Sequence, residues 1–176
     1  MTNYRRLRSA GACWFFTVNL ADRSSPLLVQ EITLLRAAFR KVLDAHPLVI
    51  DAMVVLPDHL HALWTLPADD GDYSTRWRQI KAAFSRALPM REARNTSRIN
   101  KGERGIWQRR FWEHQIRDET DYARHVDYIH INPVKHGLVT RAIDWPHTSL
   151  HRFVAAGIVA RDWASEPDVH GHAFGE

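Results

Sequence analysis

Two apolar runs of eight residues, Val49–Leu56 and His59–Leu66, are separated by nothing but Pro57-Asp58. Proline presets φ for the first central position of a turn, so the chain reverses at this point. Two strands joined by so short a turn pair antiparallel as a hairpin. A hairpin in the middle of a 176-residue chain commits it to a sheet, and the flanking sequence must supply the elements that complete it.

Those elements can be read on either side. Cys13–Asn19 (CWFFTVN) is rich in aromatic and β-branched residues and reads as a first strand. Leu27 to Leu43 carries Leu28, Ile32, Leu35, Phe39 and Val42 near helical spacing, with Pro47 beyond its end. Asp72-Tyr73-Ser74 offers a cap for a second helix, whose inward stripe is Trp77, Ile80, Phe84 and Leu88. Pro89 to Gly105 is polar, basic and aperiodic, and reads as a mobile loop. Ile106 to Ile116 reads as another strand. Asp118 or Thr120 is placed to cap a third helix, and Pro133 disfavours helical geometry at Asn132, which predicts the end there. Beyond Trp163 the chain looks weakly ordered. The expectation is one domain over residues 1–165 and a tail over 166–176. The element order gives an α+β class: a ferredoxin-like antiparallel sheet with helices on one face.

Composition narrows the function classes. No apolar run approaches the roughly 18 residues that cross a bilayer, so no membrane association is expected. The first residues lead to no signal core, and a cytoplasmic protein is expected. Cys13 is the only cysteine, which excludes an internal disulfide and a cysteine-rich zinc site. The formal net charge of +4 conceals a segregation. Tyr73–Arg110 contains eleven Lys or Arg against Glu92 and Glu103, a surplus of nine, which leaves the remainder at −5. Positive charge with Trp77, Trp107 and Trp112 nearby suits a phosphate backbone with unstacked bases, although a solvated basic face has the same composition.

Two short patterns carry chemistry. His59 and His61 are two apart on a strand, so both imidazoles share one face. Neutral imidazoles bind divalent ions, and two at this spacing can chelate one together. In a chain with 11 histidines such a pair, taken alone, is more commonly structural. Tyr128 and Asn132 are four apart and therefore neighbours on one helix face. Asn132 offers a carbonyl oxygen as a third ligand. A mixed N,N,O set with open positions suits Mg²⁺ or Mn²⁺ at a phosphodiester better than a closed structural zinc site. Taken separately, Tyr128 also fits a half-buried core position and Asn132 a helix end. Tyr122 faces elsewhere and has Val126 as its i+4 partner, and Tyr4 and Tyr73 have no such companion.

His-hydrophobic-His in VVLPDHLHALWTLP, followed by DYARHVDYIHINPVKHGLV, resembles the single-tyrosine HUH transposases. The stretches WFFTVNL, WQRRFWEHQIRDETDY and YIHINPVKHG resemble more narrowly the REP-associated tyrosine transposases, over roughly residues 4 to 165. Insertion-sequence relatives carry glutamine four residues after the tyrosine, and the REP-associated branch carries asparagine, as at Asn132. The resemblance implies an HUH endonuclease fold, Tyr128 as nucleophile, and His59, His61 and Asn132 as ligands of Mg²⁺ or Mn²⁺. It also implies a 5′-phosphotyrosine link with a free 3′-hydroxyl. That link conserves the phosphodiester's energy, so rejoining needs no ATP, and the chain has no Walker-type loop.

The implied partner is single-stranded DNA folded as REP hairpins with a short 5′ guide sequence, bound by a monomer. Arg76, Lys81 and the 89–105 loop are expected to grip phosphates, with Arg109 and Arg110 in the same basic segment. Arg5 and Arg6 are expected at the guide end, and Lys135 and His136 beside the site. The extra pair His170 and His172 reads as solvated. Two other classes stay open: a hairpin-binding protein without catalysis, and a metallohydrolase that uses water as nucleophile.

Overall fold

The computed structural model describes residues 9–90 and 96–164. Four antiparallel strands form one sheet: β1 (Cys13–Asn19), β2 (Val49–Val55), β3 (His59–Thr65) and β4 (Trp112–Gln115). Their spatial order is β2-β3-β1-β4. The helices are α1 (Leu27–Gln30), α2 (Ile32–Ala45), α3 (Tyr73–Ala87), α4 (Thr96–Asn100), α5 (Glu119–Lys135) and α6 (Leu150–Ala155). With β1 and β3 central, this is the ferredoxin-like arrangement expected from the element order.

The central strands are apolar on both faces, so both faces have to be covered. Trp14, Phe16, Leu60, Ala62 and Trp64 pack against Leu35, Phe39 and Val42 of α2 and Trp77, Ile80 and Phe84 of α3. Trp64 and Trp77 stack with ring centroids 4.1 Å apart at the middle of this larger core. Phe15, Val54 and Leu63 point the other way, and Val126, Tyr128 and Ile129 of α5 cover them. The helices therefore do not share one face as the element order suggested. α5 closes the side that α2 and α3 leave open, because β1 and β3 have no polar face to give to water. It lays the tyrosine helix directly over the face that carries His59 and His61.

Beyond β2 the sheet edge is covered. Val55 N donates to His147 O, Ser149 N to Met53 O, and the Trp145 indole N–H to Val55 O. Main-chain groups that would otherwise template another strand are thereby used.

Four boundaries differ from the sequence expectation. The helix expected over 27–43 breaks at Glu31 (φ −109°, ψ 33°) and then runs on to Ala45. Its first turn is pinned to the hairpin by Leu28 N donating to Pro57 O at 3.0 Å, a distant bond that periodicity does not reveal. The basic loop contains the short helix α4, while residues 91–95 lie outside the described residues. The strand expected over 106–116 is regular only at Trp112–Gln115. Trp107 turns into the α3 core and makes one isolated bridge to Leu20, which interrupts the alternation.

The last difference matters most for the site. α5 does not end at Asn132 but passes through Pro133 to Lys135. Proline at 133 removes only the N–H that would have paired with Ile129 O, and Asn132 O still accepts from His136 N at 3.0 Å. The helix stops at Gly137 (φ +66°), where Gly137 N donates to Val134 O and Leu138 N to Pro133 O, a Schellman end. The extra turn carries Lys135 and His136 back towards the sheet.

Candidate active site

His59 is the first residue of β3 and His61 lies two residues on, with the ring centroids 5.0 Å apart and nearly perpendicular. Asp58 accepts from His59 Nδ1–H at 2.8 Å, and Arg23 pairs with that carboxylate from the other side. Thr17 Oγ1 of β1 lies 2.9 Å from His61 Nδ1. The Asp58 carboxylate only accepts, so it fixes Nδ1 of His59 as the protonated nitrogen and leaves the Nε2 lone pair for something else, while Thr17 occupies Nδ1 of His61 and leaves its Nε2 uncommitted. Both Nε2 atoms are buried and have no hydrogen-bond partner among the described residues. Burial holds the His59 imidazolium below its ordinary value although Asp58 pulls the other way. Burial holds His61 well below it, reinforced by His59, His136, Lys135 and Arg23. Both rings are neutral at pH 7, the form in which imidazole binds a metal.

Across from them stands α5, whose N-terminus is capped by Asp118 accepting from Asp121 N. The Tyr128 ring lies 5.1 Å from the His61 ring and 5.9 Å from Phe15, both at steep angles. Lys135 Nζ sits 4.8 Å from the Tyr128 ring centroid. One turn on, Asn132 is completely buried, and neither its Oδ1 nor its Nδ2 has a hydrogen-bond partner among the described residues. A buried carboxamide with no hydrogen bond costs roughly 1–3 kcal/mol. Two imidazole lone pairs and an amide oxygen, all buried and unspent, form a donor set that fits a divalent cation.

The structure brings His136 in as well, its ring 5.1 Å from that of His59. Asn19 also belongs here. It pairs with His59 in the β1–β3 register on the same face, and its Oδ1 is buried without a partner. Thr17, Asn19, Arg23 and Asp58 were not foreseen. Asp58 read only as a turn residue, and strand alternation would have put Thr17 and Asn19 on the His61 face once the pairing of β1 with β3 was known.

The remaining tyrosines sit elsewhere. Tyr73 is buried in the opposite core. Tyr122 lies near Asp51 and Cys13, and burial pushes its phenol up to about 12, with Asp51 adding to the effect.

Among the expected DNA contacts, Arg76 is a correction. It is 3% exposed, and its guanidinium donates to His46 O, Asp72 O and Pro47 O and pairs with Asp70. A buried guanidinium held by these four acceptors ties α3 to the end of α2 and is not presented to a phosphate. Lys81 lies on the α3 side of the sheet and donates to Gln108 O at 2.7 Å. Arg109 pairs with Glu103 at 2.8 Å, and Arg110 is exposed. Arg5, Arg6, His170 and His172 lie outside the described residues.

A second cluster escaped the sequence reading. His114 of β4 and Asp121 and His125 of α5 bring a nitrogen or oxygen each to within 4.8 Å of one another. The signal was His114 standing two residues after Trp112, with Asp121 and His125 one helical turn apart.

The likenesses to known proteins run the full length of the chain. No family model matches it. It is 48% identical over 176 residues to the REP-associated tyrosine transposase of Escherichia coli K12, spanning 100% of this chain and 98% of that protein. A Haemophilus influenzae Rd protein, given the same name provisionally, is 46% identical over 171 residues, 96% of this chain and 97% of that one. A solved structure of a REP-associated tyrosine transposase bound to a REP hairpin matches with a TM-score of 0.86 at 48% identity, covering 100% of this chain and 98% of the other.

Proposed function

The chain belongs to the REP-associated tyrosine transposases, and from that premise we propose that it binds a DNA hairpin and breaks a phosphodiester of the adjoining single strand with the Tyr128 hydroxyl. What supports the reading is the unspent donor set, His59 Nε2, His61 Nε2 and the Asn132 carboxamide, buried beneath the helix that carries Tyr128. His59, His61 and Asn132 would hold Mg²⁺ or Mn²⁺, which when bound supplies a Lewis acid for the scissile phosphate.

The chain's own groups do the rest. Asp58 holds the His59 imidazole in the tautomer that presents Nε2, and Thr17 holds the His61 ring by its Nδ1. The ring of Tyr128 packs edge-on against Phe15 and His61, which holds the side chain in place before DNA arrives. Lys135 sets a positive charge next to the attacking group and the phosphate it approaches. The Tyr128 oxygen forms a bond to phosphorus, the bond to the 3′ oxygen breaks, and that oxygen leaves with a proton as a 3′-hydroxyl. The 5′-phosphotyrosine keeps the energy of the broken diester, so a 3′-hydroxyl can reverse the step without ATP.

Tyr128→Phe tests the reading, because it keeps the ring packing and removes only the hydroxyl. Denaturing gels of labelled hairpins with single-stranded flanks should show a Mn²⁺-dependent protein–DNA adduct with the native chain and none with the variant, while hairpin binding is retained. An adduct that survives in Tyr128→Phe would overturn the assignment of Tyr128. Cleavage without an adduct would point to water as nucleophile.

A further inference from the structure

On the other layer of the molecule, α3 and the segment 102–111 enclose a cleft of about 650 Å³. Ser74, Arg78, Lys81, Ala82, Ser85 and Arg86 recur at helical spacing and turn one face of α3 into one wall. Arg78, Lys81, Arg86, Arg104 and Arg109 line the cleft against one carboxylate, Glu103. That surplus of four equals the formal net charge of the whole chain.

Neutral groups hold part of this charge in place. Arg104 donates to Ser85 O, Leu88 O and Pro89 O at the end of α3, and Lys81 donates to Gln108 O. These carbonyls orient the two cations along the wall. Arg78 and Arg86 are exposed and have no carboxylate partner among the described residues. Half-buried Phe111 and buried Trp107 complete the wall, each with Lys81 Nζ within 6 Å of its ring.

The cleft is stitched to the end of the sheet that carries the histidine pair. Leu20 bridges to Trp107, Ala21 N donates to Ile106 O, and Gln108 N donates to Asn19 O. Asn19 is the residue that stands opposite His59. A strand passing the histidines and rounding this end of β1 therefore meets the cleft next.

We propose that this cleft is a second DNA subsite, which takes unpaired nucleotides flanking the processed phosphate, with phosphates on Arg78 and Arg86 and a base against Phe111. The inference rests on the DNA-processing reading. Its concave shape decides between forms of DNA. A space of this size is that of a small-molecule pocket, which admits one or two nucleotides and excludes a duplex. Positive charge beside an aromatic face is the combination that holds single strands without reading their sequence.

Fluorescence anisotropy with the full chain carrying Tyr128→Phe tests it, using a blunt hairpin, the same hairpin with an eight-nucleotide oligothymidylate extension, and free oligothymidylate. The extension should tighten binding about tenfold or more. Arg78→Ala with Arg86→Ala should remove most of that gain and leave the blunt hairpin within about twofold. Loss of two single-strand phosphate contacts should lower the slope of log K against log salt by about 1.4. Iodouracil in the extension should crosslink to the peptide containing Phe111, a readout that needs no variant. No gain from the extension, or equal losses on the blunt hairpin, would overturn the proposal. An adduct formed normally alongside such a failure removes only the cleft. Cleft-dependent binding without any adduct removes only the catalytic reading.

Discussion

Two clusters that combine histidine and aspartate meet the same helix, and they use their carboxylates differently. In the first, Asp58 and Thr17 occupy only the outer nitrogens of His59 and His61, and both Nε2 atoms stay buried and unspent. In the second, Asp121 is the hub. Its Oδ2 accepts from His114 Nε2–H at 2.8 Å and from both Arg117 N and Arg117 Nε at 3.1 Å. His125 Nδ1–H donates to Asp121 O at 2.7 Å. One cluster has bonding capacity left over, while the other has spent its carboxylate on clamping β4 to α5.

The comparison can be broken by experiment, and the largest expected effect lies in the first cluster. His61→Ala should lower metal-dependent adduct formation by at least about a hundredfold, more than loss of an outer-shell partner causes. Its melting temperature without metal should change far less than its activity, because it removes a ring and not a clamp. Asp121→Ala should do the reverse. Leaving His114 and the Arg117 main-chain N–H without their shared acceptor should cost roughly 1–2 kcal/mol and lower the melting temperature by about 5 °C. If Asp121→Ala melts normally, the clamp reading is wrong.

A weaker effect separates the two clusters by metal alone. Mn²⁺ should raise the melting temperature of the native chain, since binding to the folded state adds RT ln(1 + [Mn²⁺]/Kd). His114→Ala should keep that rise, and Asp58→Asn should lower the Mn²⁺ affinity by about 10- to 100-fold. A rise lost in His114→Ala would make the second cluster the metal centre.

Acid should separate them too. His59, His61 and His125 all sit below their unfolded value of about 6.5. As pH falls beneath 6.5 the unfolded chain takes up protons that the folded chain refuses, so stability declines, and the Mn²⁺-dependent rise fades as the imidazoles protonate. Asp121 fails in the same direction but at lower pH. The hydrogen bonds from His114 and Arg117 outweigh burial and hold its carboxyl well below 3.8. Its contribution is complete above 3.8 and is lost only as pH falls below that. Thermal melts from pH 7 to 3 should therefore show the metal-dependent rise disappearing first and the clamp failing last. The smallest change expected is from Arg117→Ala. Its side chain is 72% exposed, and the Arg117 main-chain N–H still reaches Asp121, so the melting temperature should stay within measurement scatter.

The two patterns proposed to carry the chemistry were legible because each is local. Strand alternation alone places His59 and His61 on one face, and helical spacing alone makes Tyr128 and Asn132 neighbours. The hairpin was legible for the same reason, as were the caps at Asp72 and Asp118. Arg76 was misread because its partners, His46 O and Pro47 O, come from a helix end some thirty residues away. Asn19 and Thr17 went unnoticed because their relevance depends on the β1–β3 register. The extension of α5 through Pro133 was missed because the restriction before proline is a bias, and the Schellman end at Gly137 and the fit against the sheet override it.

By itself, then, the sequence determined the periodicities: which residues alternate, which share a helix face, where the chain turns, and which family these patterns resemble. Only the tertiary structure decided that α5 crosses to the face opposite α2 and α3. It also decided that His136 swings in beside His59, that Arg76 is buried, and that Arg78 and Arg86 line a cleft. The physical reason is the range of the forces involved. Dihedral preferences and side-chain spacing act over a few residues, whereas burial and lone-pair satisfaction depend on whatever distant segment the packed sheet brings within 3 Å.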